Sequence, residues 1–139
     1  MHIGLIGGIG AAATIVYYQR LSDKLAAAGQ PLELTIVNAD VQELVRNNTA
    51  DDREAQAQVY ARLIERLKAA GADCAAVTSL GGHFCYDETV PLASLPLVSA
   101  VMSRGARSGL SCPHSICSRR SRPSPTSCRS CFSSALVPW

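Results

Sequence analysis

The first 19 residues lack charged side chains, but they also lack the features of a leader peptide. No Lys or Arg precedes this stretch, and glycines at positions 4, 7, 8 and 10 interrupt it. A secretory signal has a basic start and a continuous apolar centre. No other segment approaches the length of a membrane span. We therefore expect a cytoplasmic protein with no membrane contact.

Cysteine is scarce before residue 103, and acids and lysine are absent after it. Residues 1–102 contain two cysteines, 7 Lys and Arg, and 11 Asp and Glu, a net charge of −4, whereas residues 103–139 contain 6 Arg. The last 37 residues also hold 11 Ser, 4 Cys and 4 Pro. This composition buries too little apolar surface to offset the entropy of ordering it. The sequence predicts an α/β domain at 1–102 and an irregular tail at 103–139, either disordered or an out-of-frame stretch.

The tail offers two weak functional patterns. Its four thiols form two close pairs that could surround one zinc ion: Cys112, Cys117, Cys128 and Cys131. No glycine knuckle or apolar strand flanks either pair. Its central arginines, Arg119, Arg120 and Arg122, lack aromatic neighbours on which bases could stack. We therefore predict no metal site and no nucleic-acid partner.

Apolar periodicity and glycine positions predict the elements of the first domain. The predicted order is strand 2–6, helix 11–28, strand 32–37, a polar crossover, helix 51–70, strand 74–77, a polar loop at 78–83, a helical turn at 87–92 and a strand at 97–101. Gly29 and Gly71 follow the two helices, where glycine commonly ends a helix. This order indicates an α/β fold, a three-layer lobe whose parallel sheet has right-handed βαβ crossovers.

In a parallel sheet of this kind, ligands bind beyond the carboxyl ends of the strands. The first loop at that edge is rich in glycine. Residues 8–13 match the G-x-G-x-x-G/A pattern of dinucleotide-binding folds. The ribose-binding acid of that pattern lies about 20 residues on, whereas Asp40 is 30 residues beyond Gly10. Free N–H groups at a helix start favour an anion of either kind, phosphate or carboxylate. A tight turn that needs glycine is the purely structural alternative.

The loop after the third strand combines groups that a core loop rarely needs. Thr78 and Ser79 supply hydroxyls, His83 an imidazole and Cys85 a thiol. Taken singly, His83 fits a structural histidine and Cys85 a small buried apolar residue. If Cys85 begins a short helix, the helix dipole and the nearby His83 are expected to favour its thiolate. Cys74, inside a strand, is expected to be inert.

Two arginines and two strand-end residues complete the candidates. Arg46 and Arg53 flank the crossover, where either could clamp a substrate carboxylate or lie on a solvated face. Asn38 and Asp40 end the second strand, and they could bind a ligand or cap the crossover.

Residues 3–10, Ile-Gly-Leu-Ile-Gly-Gly-Ile-Gly, are followed by Ala-Ala-Thr and a Tyr pair at Tyr17 and Tyr18. With residues 71–73, His83 and Pro-Leu-Val at 96–98, they resemble the aspartate/glutamate racemase superfamily. The resemblance implies a cofactor-independent isomerase that interconverts D- and L-amino acids, or isomerises small carboxylic acids, using one thiol on each face of Cα. The residues then expected to bind the substrate are Gly8, Gly10, Thr14, Asn38, Arg46 and Thr78.

The chain departs from the superfamily pattern in two places. The family motif Cys-Asn-Thr-x-His aligns with His83 but puts Ser79 at the cysteine, and a serine hydroxyl is far too weak an acid to replace a thiol. Cys85 could supply the thiol if the loop turns back. The catalytic candidates are therefore Cys85, His83 and, at the aligned position, Ser79. The second lobe that the resemblance implies has no counterpart after Met102.

These departures leave more than one function open. The leading prediction is a racemase-type isomerase that binds a small amino or carboxylic acid, with its activity weakened by the missing lobe. The alternatives are an NAD(P)-binding oxidoreductase fragment and a non-catalytic remnant of a damaged gene. In any of these roles the chain could pair as a homodimer.

Overall fold

A computed structural model describes residues 1–98 of the chain. Four parallel strands form one sheet in the order β2-β1-β3-β4: β1 His2–Gly7, β2 Glu33–Asn38, β3 Cys74–Val77 and β4 Leu97–Val98. Four α-helices accompany them: α1 Ala11–Ala27, α2 Val41–Thr49, α3 Arg53–Ala69 and α4 Tyr86–Thr89. Two short 3₁₀ helices span Leu80–Cys85 and Val90–Leu92. The predicted parallel α/β fold is confirmed.

Alternate residues of the central strands serve opposite faces of the sheet. Ile3 and Leu5 pack into a core with Leu21 and Leu25 of α1, whereas Ile6 packs into a second core with α3. The sheet therefore lies between α1 and α3 in three layers. Because β1 leads outward to β2 and the chain then crosses back to β3, helices on opposite faces are expected when both crossovers have the same hand.

Helix α3 is the clearest product of local sequence. The Asp52 carboxylate accepts a hydrogen bond from the Ala55 N–H at 3.0 Å, which caps the helix start. Arg66 and Lys68 lie in the last turn, where positive charge favours the helix dipole. Gly71 then takes a φ of 91°, which L side chains rarely adopt. Helix and terminator both lie where the sequence predicted them.

The structure differs from the predictions between the second and third strands. Residues 41–49, expected as a polar crossover, form α2, whose start is capped by Asp40 accepting from the Gln42 N–H at 2.9 Å. Only Leu44 and Asn47 of this helix are buried, so its apolar stripe was too short to detect. The predicted polar loop at 78–83 is likewise partly helical.

Several predictions concern residues outside the described part of the chain. They are the strand's continuation through residue 101, the domain boundary at residue 102, and the zinc-type and arginine patterns of the tail. Within residues 1–98, no helix is long and apolar enough to cross a membrane. The same residues contain no cluster of three or more metal-binding side chains.

Candidate functional site

Three neighbouring strands end together at one edge of the sheet, which we call the ligand edge. Gly7 of β1 pairs with Asn38 of β2, and Ile6 pairs with Val77 of β3, directly before Thr78. The Gly7 carbonyl accepts a hydrogen bond from the Ala39 N–H at 2.8 Å. These contacts bring the predicted residues Asn38 and Thr78 to either side of Gly7.

Two buried threonines form a directed chain of hydrogen bonds at this edge. The Thr78 hydroxyl donates to the Ile6 carbonyl at 3.0 Å, and the Thr78 and Thr14 hydroxyl oxygens lie 2.9 Å apart. Because a hydroxyl has one proton and Thr78 gives its own to Ile6, Thr14 must donate to Thr78. The Thr14 oxygen therefore presents only lone pairs to any further group.

Gly7 leaves the space in which these polar groups converge. A Cβ at Gly7 would lie 2.8 Å from the Asn38 Oδ1 and 2.9 Å from the Thr14 Oγ1, too close for a side chain. The Asn38 amide nitrogen donates to the Ala39 carbonyl at 3.1 Å, which turns Oδ1 toward Gly7. The chain thus holds two oxygen acceptors against the end of β1.

The turn between β1 and α1 is built from glycine. Gly10 has a φ of 88° and stands at the N-cap of α1, with no side chain capping the helix. The first turn contains no acid that would repel an anion. The Ala13 N–H donates to the Gly10 carbonyl at 3.2 Å, so an anion would bind the N–H groups before Ala13. Gly8 is buried, and a Cβ there would overlap Leu44 of α2. Both glycines are therefore required by the local geometry.

Ser79 and His83 are joined through the backbone of the third-strand loop. The His83 Nδ1 lies 3.0 Å from the Ser79 carbonyl oxygen, which can only accept, so Nδ1 carries the proton. Nε2 is shielded from solvent and finds no hydrogen-bond partner within residues 1–98. The ring stacks on Tyr86, with centroids 6.1 Å apart. His83 therefore donates through Nδ1 to the Ser79 backbone, and this bond does not involve the serine hydroxyl.

Cys85 does not lie at the ligand edge as a thiolate. Its side chain is 0% exposed within the α3 core, and its Sγ lies 3.6 Å from both the Gly82 carbonyl and the Thr89 hydroxyl. Burial raises the pKa of the thiol, and the Thr89 hydrogen bond opposes that rise only in part. The expectation that a helix dipole and His83 favour the thiolate is wrong. Cys74 is 3% exposed in the α1 core.

The two arginines differ in their surroundings. The Arg53 guanidinium donates to the Phe84 carbonyl at 2.9 Å and pairs with Asp51 at 3.2 Å. It also lies 4.0 Å from Glu88, so it joins α3 to the third-strand loop. Arg46 is exposed on α2. Of the two predicted clamps, Arg53 is already occupied, and Arg46 remains a candidate.

Sequence reasoning missed the residues that fix the third-strand loop. The Asn48 amide donates to the Gly81 carbonyl at 3.3 Å. Tyr60, 2% exposed, packs its hydroxyl so closely on Gly82 that a Cβ there would overlap it. Burial raises the pKa of Tyr60 to about 12. Tyr60 shares the buried face of α3 with Leu63 and Leu67, a spacing that could have marked it as inward-facing.

Two solved structures are similar to this chain. A Yersinia pestis protein provisionally assigned as an Asp/Glu racemase has a TM-score of 0.68 and 27% identity, over 74% of this chain and 46% of its own. An aspartate racemase homologue from Pyrococcus horikoshii has a TM-score of 0.65 and 22% identity, over 73% of this chain and 46% of its own. This chain therefore spans about half the length of each. No protein-family model and no curated protein matches it.

The parallel sheet, its two helical layers and the polar groups at one edge define an α/β lobe with a ligand-type site. More particularly, the lobe has an Asp/Glu racemase-like fold. The resemblance predicted from the glycine-rich opening is thereby confirmed at the level of the fold. Because one fold supports many functions, activity has to be argued from the site itself.

Proposed function

We propose that this lobe binds a small amino acid, or a related carboxylic acid, as one half of an isomerase of the Asp/Glu racemase type that uses no cofactor. The observation that carries the proposal is the Thr14–Thr78 hydroxyl chain beside the uncapped start of α1. A purely structural turn does not need a polar pair at 2.9 Å between the first turns of α1 and the end of β3.

The substrate carboxylate is assigned to the turn between β1 and α1. Ala13 donates its N–H to the Gly10 carbonyl at 3.2 Å, so the carboxylate is assigned to the N–H groups before it, where the helix dipole adds partial positive charge. Gly10 leaves the helix start open, since a Cβ there would meet nothing within 4 Å, whereas Gly8 lets the turn pack on Leu44. Arg46 would add charge from α2 if its side chain turns to the ligand edge.

The substrate ammonium group is assigned to Thr14 and Asn38. The Thr14 oxygen can only accept, because its proton is directed at Thr78. The Asn38 Oδ1 lies against Gly7, as the Thr14 Oγ1 does, and is a second acceptor. An ammonium group offers donors and no acceptor, so it complements these two oxygens better than a carboxylate does. An amino acid is therefore preferred over a dicarboxylic acid without an amino group.

The site supports proton transfer less well than it supports ligand binding. Both thiols of residues 1–98 are packed inside the apolar cores of the lobe, Cys74 against α1 and Cys85 against α3. Ser79 and His83 are the remaining candidates, but His83 donates to the serine backbone and does not activate its hydroxyl. We propose that this chain binds its ligand and exchanges the α-proton far more slowly than a two-thiol racemase.

Calorimetric titration of the full chain with aspartate, glutamate and succinate tests the binding proposal. L-Aspartate should bind more tightly than succinate, and Thr14→Val should remove that preference. Thr49→Val, an exposed threonine at the end of α2, is the matched control. Equal binding of aspartate and succinate would refute the assignment of the ammonium group. Binding of NADH alone would instead favour a nucleotide site.

Exchange of the aspartate α-proton in D₂O, followed by NMR, tests the catalytic part. Exchange at the rate expected of an efficient racemase would contradict slow turnover. If Cys85→Ala retained that rate, the base would be a residue other than Cys85. Exchange abolished by Cys85→Ala would contradict the buried, protonated thiol.

A further inference from the structure

Strand β2 lies at one edge of the sheet, and no strand of residues 1–98 pairs with its outer side. The sheet order is β2-β1-β3-β4, so β1 pairs with the inner side of β2 and β4 forms the opposite edge. The pairing with β1 runs without interruption over all six residues of β2, from Glu33 to Asn38. A regular edge strand of this kind offers a row of N–H and C=O groups to another strand.

The hydrogen bonds to β1 determine which backbone groups of β2 point outward. The Ala39 N–H donates to the Gly7 carbonyl, so the backbone of position 39 faces β1. The N–H and C=O groups of successive strand residues point to alternate sides. The other odd-numbered residues of β2 therefore also face β1, whereas Leu34, Ile36 and Asn38 present their backbone groups outward.

The side chains of β2 do not protect this edge from a second strand. Leu34 packs on the α1 side of the sheet and Val37 on the α3 side, so Ile36, in phase with Leu34, lies on the α1 side. Ile36 is 44% exposed there. Soluble proteins commonly protect an edge with lysine, proline or a bulge, and β2 contains none of these. The one charged residue of β2 is Glu33, at its first position.

A second copy of β2 fits the outward groups in an antiparallel register centred on Ile36. Leu34, Ile36 and Asn38 are evenly spaced along the strand. When Ile36 lies opposite Ile36 of the second copy, Leu34 therefore lies opposite Asn38 of that copy, and every outward-facing residue meets another. Each such pair in an antiparallel ladder exchanges two hydrogen bonds. The register is two-fold symmetric, as the contact between two identical chains in a closed dimer requires.

The remaining cross-strand pairs agree with this register. Thr35 lies opposite Val37 of the second copy, and both residues are β-branched, a type that packs well on a pleated sheet. Glu33 lies opposite Ala39, so no like charges are opposed. The exposed Ile36 side chains meet at the two-fold axis, where their contact removes apolar surface from water.

We propose that β2 pairs with β2 of a second copy of this chain in this register, joining two four-stranded sheets into one continuous sheet. Because the paired strands are antiparallel, the two ligand edges lie at opposite ends of the joined sheet. The inference goes beyond the proposed function and does not depend on it, since the pairing uses backbone groups of the strand.

Sedimentation equilibrium of the full chain tests the assembly. The measured mass should approach twice 14.7 kDa as concentration rises. Ile36→Lys should restore the monomer, because two ammonium groups would then face each other across the axis. Val90→Lys is the matched control, since Val90 is 46% exposed in the 3₁₀ helix that precedes β4. It should leave the mass of the dimer unchanged, with circular dichroism confirming that both variants fold.

Amide hydrogen exchange followed by NMR tests the register. The outward amides of Leu34, Ile36 and Asn38 should exchange slowly in the dimer and rapidly in the Ile36→Lys monomer. The amides of Thr35 and Val37, which face β1, should exchange slowly in both. A monomer at every concentration would overturn the proposal, as would equal effects of the two lysine variants. A dimer whose three outward amides exchange rapidly would also overturn it, because another surface would then form the contact.

Discussion

The direction of the Thr14–Thr78 hydrogen bond predicts that two similar substitutions have unequal costs. Thr78→Val removes both the bond to the Ile6 carbonyl and the acceptor for Thr14, whereas Thr14→Val removes one bond. Both threonines are buried, at 3% and 9% exposure. At about 1 kcal/mol per buried hydrogen bond, Thr78→Val should cost about 2 kcal/mol and Thr14→Val about 1 kcal/mol.

The double variant strengthens this test. Thr14→Val with Thr78→Val loses the same two bonds as Thr78→Val alone, so its cost should also be about 2 kcal/mol. The Ile6 carbonyl remains satisfied throughout, because it also accepts from the Thr78 N–H at 3.1 Å. The two substitutions are therefore expected to be coupled by about 1 kcal/mol.

Urea unfolding followed by circular dichroism measures each free energy of unfolding. Thr49→Val, an exposed control on α2, should change it by less than about 0.5 kcal/mol. If Thr14→Val lowered the free energy of unfolding more than Thr78→Val, the direction of the hydrogen bond from Thr14 to Thr78 would be refuted. The assignment of Thr14 as an acceptor for the ligand would then fail as well. Additive costs would show that the two hydroxyls do not interact.

Three further predictions concern the third-strand loop and its support. Gly82→Ala should destabilise the fold by about 2 kcal/mol or more, because its Cβ meets Tyr60 and lies 2.8 Å from Val77, whereas Gly81→Ala has room and should be tolerated in urea unfolding. Burial raises the pKa of Tyr60 from 10.0 to about 12. The unfolded chain therefore ionises first, and stability should fall between pH 10 and 12 by up to about 1.4 kcal/mol per pH unit; Tyr60→Phe should flatten that fall. Iodoacetamide should label Cys85 only after unfolding in urea, as measured by peptide mass mapping, and rapid labelling of the native chain would contradict its burial.

Local signals were sufficient to predict most of the described fold. Helix α3 combines an acidic cap, inward apolar spacing and a terminal glycine, so each feature indicates the same bounds. Strand β3 was predicted at Cys74–Val77 and lies there. Helix α2 was missed because Leu44 is its one buried apolar side chain, and Leu44 packs on Gly8, a contact between distant segments. Short helices held by tertiary contacts leave little periodicity to detect.

The candidate site was predictable in its location but not in its chemistry. The carboxyl ends of β1, β2 and β3 bring Gly7, Asn38 and Thr78 together, as their positions in a parallel sheet predict. The direction of the Thr14–Thr78 bond depends on the Ile6 carbonyl, which no sequence pattern reveals. The burial of Cys85 is likewise tertiary, since it follows from packing between α3 and the loop.

The packing around Gly82 makes it difficult for Cys85 to act as a substitute thiol. Moving Cys85 to the ligand edge would turn the 3₁₀ helix Leu80–Cys85, in which Gly82 is held against Tyr60. It would also break the contact of Cys85 with Thr89 and expose a side chain that is now 0% accessible. Arg53, bonded to the Phe84 carbonyl, resists the same movement. The predicted resemblance puts Ser79 at the racemase cysteine, and the thiol of Cys85 lies in the α3 core. For residues 1–98, ligand binding is therefore better supported than proton transfer.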